Sequence, residues 1–155
     1  MSYAIEPLAG HDRKSFDSGS DELDRYFRER ATQDMRRRVA ACFVAVADDG
    51  GVAGVYTLAA TSILLDALPP ERARKLPRYP LVPAVLLGRL AVSLAHQGRR
   101  LGAALVADAL LRAGRAEIAA HAMLVDAKDE NAARFYEHFG FERLPKRPRA
   151  LIRAL

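Results

Sequence analysis

The segment His96-Gln-Gly-Arg-Arg-Leu-Gly102 lies between an apolar run and a helical repeat. A helix N-terminus presents unpaired N–H groups and the positive end of the macrodipole, so a turn just before one suits a diphosphate. Gly98 and Gly102 let the backbone approach a ligand closely, while Arg99 and Arg100 add charge for phosphate recognition. The other reactive side chains are less suggestive. Cys42 is the single cysteine and lies in the apolar run Ala40 to Ala47, where it reads as a small buried hydrophobe that forms no internal disulfide. His11, His96, His121 and His138 show no metal-ligand spacing, so no metal is expected.

These residues need a scaffold, and the pattern of apolar residues supplies one. An extended start at Ala4 to Leu8 precedes a helix from Asp21 to Ala31, capped by Ser18 or Ser20, with Leu23, Tyr26 and Phe27 at helical spacing. Thr32 to Arg38 is polar and cationic without a long apolar face. Ala40 to Ala47 reads as a buried strand, Asp48-Asp-Gly-Gly51 as a turn, and Val52 to Ser62 as its antiparallel partner. From Asp66 to Pro83, five prolines disfavour a continuous helix or central strand and predict a surface excursion. A strand over Leu86 to Val92 then leads through the polar turn into a helix over Leu101 to Glu117, with Leu101, Leu105, Ala109 and Ala113 on one face. A strand over His121 to Val125 and a second helix ending at Gly140 follow, and Phe141 to Leu144 and Ala150 to Leu155 are each expected as edge strands separated by Pro145 and Pro148. The order predicts one α/β (α+β) domain over residues 1–155, with a mixed, mostly antiparallel sheet flanked by helices.

Half of the 155 residues are hydrophobic and 28% are charged with both signs interspersed, which fits a globular chain and excludes wholesale disorder. The formal charge is +5, with Arg143, Lys146, Arg147, Arg149 and Arg153 crowded near the C-terminus. That excess favours an anionic partner, and a merely solvated cationic face is the alternative. Met1 to Ser15 lacks a basic start followed by an apolar block, and no apolar stretch approaches the roughly twenty residues of a spanning helix. The cytoplasm is the expected compartment, with no membrane partner.

Taken with the strand before it and with Phe135-Tyr-Glu-His-Phe-Gly-Phe141 after it, the turn resembles that of the GNAT superfamily of N-acetyltransferases. Phe16-Asp-Ser-Gly19 with Leu23-Asp24, and Leu87-Gly-Arg-Leu-Ala-Val92, narrow the likeness to the TacT-like toxins of type II toxin-antitoxin modules. The resemblance implies acetyl-CoA as cofactor, with its pyrophosphate at a Q/R-x-x-G-x-G/A turn and its pantetheine arm on a splayed strand. The implied cofactor contacts are Leu90, Ala91, Val92, Gln97, Gly98, Arg99, Arg100, Leu101, Gly102, Ala103, Asp129 and Phe135. It further implies acetylation of the α-amino group of aminoacyl-tRNA, translation inhibition, a ribbon-helix-helix antitoxin and a homodimer.

Two positions depart from the family pattern. Arg100 stands where the first motif glycine belongs, although a register shifted to Arg99-Arg-Leu-Gly-Ala-Ala104 satisfies the pattern formally; the flanking strand and helix favour a start at Gln97. Asp129 replaces an asparagine that contacts the cofactor in many GNAT enzymes, and it also suits a helix N-cap.

Acyl transfer from a thioester needs a neutral amine and a proton for the departing thiolate. Tyr136 is the candidate donor, since a phenol with a reference pKa near ~10 is protonated at neutral pH. An α-amine near ~8 needs less help losing a proton than a lysine near ~10.4, which agrees with the lack of an evident carboxylate base in Leu86 to Val92. For a tRNA acceptor, the candidate phosphate contacts are Arg36, Arg37, Arg38, Arg72, Arg74, Lys75, Arg78, Arg147 and Arg149. Two alternatives stand beside this: an acetyltransferase for a protein or small-molecule amine, and a binding protein whose catalysis Arg100 impairs.

Overall fold

The computed structural model describes residues 2–155. In chain order its elements are β1 (Ala4–Pro7), α1 (Asp21–Glu29), α2 (Ala31–Arg36), β2 (Ala41–Val46), β3 (Val52–Leu64), α3 (Pro70–Ala73), β4 (Leu81–Val92), α4 (Leu101–Arg115), β5 (Ala122–Asp126), α5 (Glu130–Glu137), β6 (Glu142–Leu144) and β7 (Arg147–Ala154). Hydrogen-bonded strands follow the order β1-β2-β3-β4-β5-β7-β6. β4 and β5 run parallel, whereas the β1–β2, β2–β3, β5–β7 and β6–β7 pairs are antiparallel. The mixed, mostly antiparallel sheet of an α/β protein is therefore the one observed.

The chain forms two compact units, one holding residues up to Ala59 with Gly88–Ala109, the other Ala60–Leu87 with Leu110–Leu155. Strands β3 and β4 and helix α4 contribute residues to both. In the first unit, Ser20 caps α1 by accepting from the Leu23 N–H, and three acidic residues in the first turn complement the helix dipole. Phe27, wholly buried, meets Phe16 edge-on at 5.0 Å between ring centroids. Burying such a side chain contributes about 1.5–3 kcal/mol. The Asp48–Gly51 turn forms as expected: Ala47 N–H donates to the Gly51 carbonyl, and Asp49 Oδ1 accepts from Gly51 N–H at 2.9 Å. Gly54 on β3 is a close-approach position, because a Cβ there would stand 3.0 Å from Leu105 and 3.2 Å from Leu101 of α4. The start of α4 is thereby seated directly on the strand.

In the second unit, β5 is buried from Ala122 to Val125, which explains its unbroken apolar sequence: it pairs with β4 on one side and β7 on the other. Ile63, Leu68, Val82, Ala84, Leu124, Leu144 and Ile152 pack around it.

Three expectations are corrected. Residues 31–36 form helix α2, because Tyr26 and Asp34 tie it to α1 by side chains that an apolar-periodicity argument ignores. Strand β4 begins at Leu81 and runs through Pro83, whose missing N–H costs no ladder bond while its carbonyl accepts from His121 N–H. Strand β7 includes Pro148 at its start and lies between β5 and β6, so it is no edge strand; β6 alone of that pair is at the edge.

Candidate active site

Strand β4 ends at Val92, a single turn of 3-10 helix covers Leu94–His96, and α4 opens at Leu101. Gln97, Gly98, Arg99 and Arg100 between them are exposed, and Leu101 is buried while Gly102 and Ala103 are half-buried. Gly98 has φ 79°, and a Cβ there would meet nothing within 4 Å. Left-handed backbone, and not crowding, calls for glycine at that position.

Arg100 is left-handed as well, with φ 62°. An L-residue adopts that conformation at a cost of about 1–2 kcal/mol. Arg100 thus takes a backbone conformation that favours glycine. Arg100 also closes the first intrahelical bond, its carbonyl accepting from Ala104 N–H at 3.2 Å. Gly102, the first glycine of the shifted register, lies inside α4, whereas Arg100 immediately precedes that helix. A left-handed turn feeding a 15-residue helix, with two exposed arginines beside its free N–H groups, fits a pyrophosphate.

The N-terminal segment straps this turn. Asp17 carbonyl accepts from Leu94 N–H at 2.8 Å, and Gln97 Nε2 donates to the carbonyls of Val92 at 3.1 Å and Ser18 at 3.3 Å. Ser18 is itself held by Asp24, 4% exposed, whose carboxylate accepts from the Ser18 N–H and, at 2.7 Å, from its hydroxyl. A Cβ at Gly19 would stand 3.3 Å from the Leu94 side chain. The Phe16-Asp-Ser-Gly19 and Leu23-Asp24 motifs thereby gain a physical role that their sequence did not disclose. Gln97 acts as a clamp between segments.

The parallel ladder between β4 and β5 covers Ala84 to Leu87 of β4. Leu90, Ala91 and Val92 lie beyond that ladder, in the part of β4 that belongs to the first unit.

The second unit contains Tyr136, Phe135 and Asp129. Tyr136 is 9% exposed on the buried face of α5, with its ring edge-on to Phe135 and Phe141. Burial pushes its phenol up to about 12. No buried polar side-chain atom among the described residues lacks a partner, and the Tyr136 hydroxyl makes no hydrogen bond to them, so its oxygen reaches solvent. Asp129 is the N-cap of α5, its Oδ1 accepting from Ala132 N–H at 2.8 Å. Phe135 is half-buried against Tyr136 and Phe139.

The candidate phosphate contacts divide in the same way. Arg36, Arg37 and Arg38 are exposed at the end of α2 in the first unit, and Arg38 is left-handed with φ 57°. Arg74, Lys75, Arg78, Arg147 and Arg149 are exposed in the second unit. Two expectations weaken there: Arg72 is engaged by Glu142, and Arg143 of the basic tail pairs with both Glu130 and Glu137. Arg147 pairs with Asp126 at 2.9 Å, although both remain largely exposed. Among the described residues no helix is long and apolar enough to cross a membrane.

A parallel β4–α4–β5 crossover with a phosphate-type turn at the start of its helix, set in a seven-stranded mixed sheet, defines an acyltransferase of the GNAT architecture. Residues 39–143 match the model for the acetyltransferase (GNAT) domain, and the chain belongs to that family: it is an N-acetyltransferase that uses acetyl-CoA. It is 41% identical over 143 residues to the tRNA-acetylating toxin of Mycobacterium tuberculosis (strain ATCC 25618 / H37Rv), covering 91% of this chain and 84% of that one. It is 30% identical to the probable toxin TacT of Sinorhizobium fredii (strain NBRC 101917 / NGR234), covering 93% and 86%. The structure of AtaT complexed with acetyl-methionyl-tRNAfMet superposes with a TM-score of 0.89 at 28% identity, over 99% of this chain and 95% of that one. A tyrosine-to-phenylalanine mutant of AtaT bound to the C-terminus of the antitoxin AtaR and acetyl-CoA superposes with a TM-score of 0.79 at 26% identity, over 98% and 92%. The resemblance read from the motifs is thus met by relatives of the same toxin group.

Proposed function

We propose that this enzyme acetylates the α-amino group of aminoacyl-tRNA and so inhibits translation as the toxin of a toxin-antitoxin pair. The single observation carrying the acceptor is the 41% identity across 91% of the chain with a tRNA-acetylating toxin. The left-handed Arg100 supports the catalytic reading over an impaired binding protein, because the turn keeps the backbone that the motif needs.

When bound, acetyl-CoA supplies an activated acetyl thioester. Gly98, Arg99, Arg100, Leu101, Gly102 and Ala103 would hold its pyrophosphate at the start of α4, with Gln97 fixing the turn through its bond to the Val92 carbonyl. Leu90, Ala91 and Val92 offer backbone groups beyond the β5 ladder to the pantetheine arm. Phe135 packs beside Tyr136, and Asp129 orients that helix as its cap. Tyr136 holds a proton at its hydroxyl throughout the physiological range and gives it to the departing thiolate. The acceptor amine, with a pKa of about 8 in its free form, sheds its own proton near neutral pH. Arg36, Arg37, Arg38, Arg74, Lys75, Arg78, Arg147 and Arg149 supply sequence-independent charge for tRNA phosphates.

The antitoxin is read as a ribbon-helix-helix protein and the enzyme as a cytoplasmic homodimer. Incubation with labelled acetyl-CoA tests the acceptor: label is expected on charged tRNA and absent from the same tRNA after deacylation. Label on protein or small amines only, with none on any aminoacyl-tRNA, would instead establish the alternative acceptor class.

A further inference from the structure

Arg89 stands on β4 immediately before Leu90, and none of the cofactor contacts uses its side chain. Its backbone N–H donates to Thr57 Oγ1 at 3.0 Å, which fixes the strand at that residue. Its guanidinium carbon lies 3.5 Å from the centroid of the Tyr26 ring. Tyr26 is buried, and its hydroxyl donates to Asp34 Oδ2 at 2.7 Å. Burial, aided by that bond to Asp34, raises the Tyr26 pKa and keeps the phenol neutral. The only carboxylate in this chain of contacts is therefore spent on the phenol. Arg89 itself has no carboxylate within ion-pair distance among the described residues, and it is exposed.

An arginine held over an aromatic ring loses little mobility on binding and keeps its peripheral N–H donors, whose fork matches a phosphate. An exposed guanidinium pinned in place without a protein anion is thus prepared for an external one. Its position narrows which anion. On the reading that Leu90, Ala91 and Val92 receive the thioester arm, Arg89 directly precedes that strand end, to which the acceptor amine has to be brought. On an aminoacyl-tRNA the anion closest to that amine is the 5′-phosphate of the terminal nucleotide. Asp34 belongs to α2, which ends at the exposed Arg36 and is followed by the exposed Arg37 and Arg38, so the same contacts that pin Arg89 also anchor a cationic helix end for phosphates further along the strand.

We propose that Arg89, stacked on Tyr26, binds the 5′-phosphate of the nucleotide that bears the aminoacyl ester. The inference rests on aminoacyl-tRNA being the acceptor. It is tested with two minimal acceptors, adenosine and adenosine 5′-monophosphate, each carrying an aminoacyl ester on its ribose, together with charged tRNA. For the native enzyme the phosphate is expected to lower KM; Arg89→Gln should raise KM for the phosphorylated acceptor by about tenfold or more and leave the phosphate-free one unchanged. With charged tRNA, the slope of log binding constant against log salt should shrink by about 0.7 in the variant. Affinity for acetyl-CoA, measured calorimetrically on the same preparation, should be unaltered, which separates the role from misfolding. Arg89→Lys should recover only part of the effect, since an ammonium lacks the fork. Equal losses for both minimal acceptors, or an unchanged salt slope, would overturn the phosphate contact while leaving tRNA acetylation intact. If the native enzyme acetylates neither minimal acceptor nor any charged tRNA, the acceptor assignment fails first, and this inference with it.

Discussion

Replacing Tyr136 with phenylalanine removes one oxygen that bonds to no described residue while keeping a ring that is 9% exposed and packed between Phe135 and Phe141. The substitution therefore leaves packing intact, and the unfolding free energy at pH 7 should stay within about 0.5 kcal/mol of the native value. Loss of a positioned proton donor should lower kcat by about 10²–10⁴-fold, which is roughly 3–5 kcal/mol of barrier. Acetyl-CoA affinity should not move. A second signature follows from linkage. Burial raises the phenol from its usual value near 10 to about 12, so the folded state holds the proton more tightly than the unfolded chain. That contribution is complete below pH 10 and is lost as pH rises towards 12, by roughly 3 kcal/mol in all. Urea titrations between pH 8 and 12 should show a shallower alkaline loss for Tyr136→Phe, not a flat one, because Cys42 and Tyr26 are shifted the same way. Single-turnover acetylation with charged tRNA measures the chemical step. A kcat loss below tenfold, or a loss matched by weaker acetyl-CoA binding, would refute Tyr136 as the donor.

Three further outcomes are expected. Asp24→Ala strands the Ser18 N–H and hydroxyl, so it should cost about 2–3 kcal/mol in urea unfolding and raise KM for acetyl-CoA through the strap on Leu94 and Gln97; an unchanged KM would show that the strap does not govern the turn. Arg100→Gly should leave stability equal or up to about 1 kcal/mol higher, because it relieves the left-handed cost at some expense in chain entropy, whereas Arg100→Val should destabilise and weaken acetyl-CoA binding. Equal behaviour of the two variants would count against the backbone account. Cys42, 1% exposed and pushed up to about 12 by burial, should resist iodoacetamide at pH 7.5 in the native protein and react fully in urea; rapid native labelling would contradict its burial.

The sequence by itself determined whatever depends on neighbours along the chain. Ser20 caps α1 because a hydroxyl before an acidic turn bonds the nearby Leu23 N–H, and the two glycines after Asp48-Asp49 close the β2–β3 turn locally. The face Leu101, Leu105, Ala109 and Ala113 is buried as its spacing requires. The spacing of Gln97 to Gly102 marks a turn before a helix, and the left-handed φ of Arg100 is a feature of that turn that the sequence does not display.

Tertiary structure decided the rest, because the forces involved join residues far apart in sequence. Insertion of β7 between β5 and β6 is set by ladder bonds from Ala122–Asp126 to Ala150–Ala154, which no local period encodes. Composition counts Arg143 with the basic tail, yet it is drawn to Glu130 and Glu137, which stand at the two ends of α5. Asp24 belongs to a motif that carries the family resemblance, and its burial against Ser18 is what makes it a brace for the turn. Arg89 stands in the Leu87–Val92 motif, which assigns its side chain no partner. Only the fold sets its guanidinium over Tyr26, whose hydroxyl occupies Asp34, with no carboxylate among the described residues at ion-pair distance from Arg89.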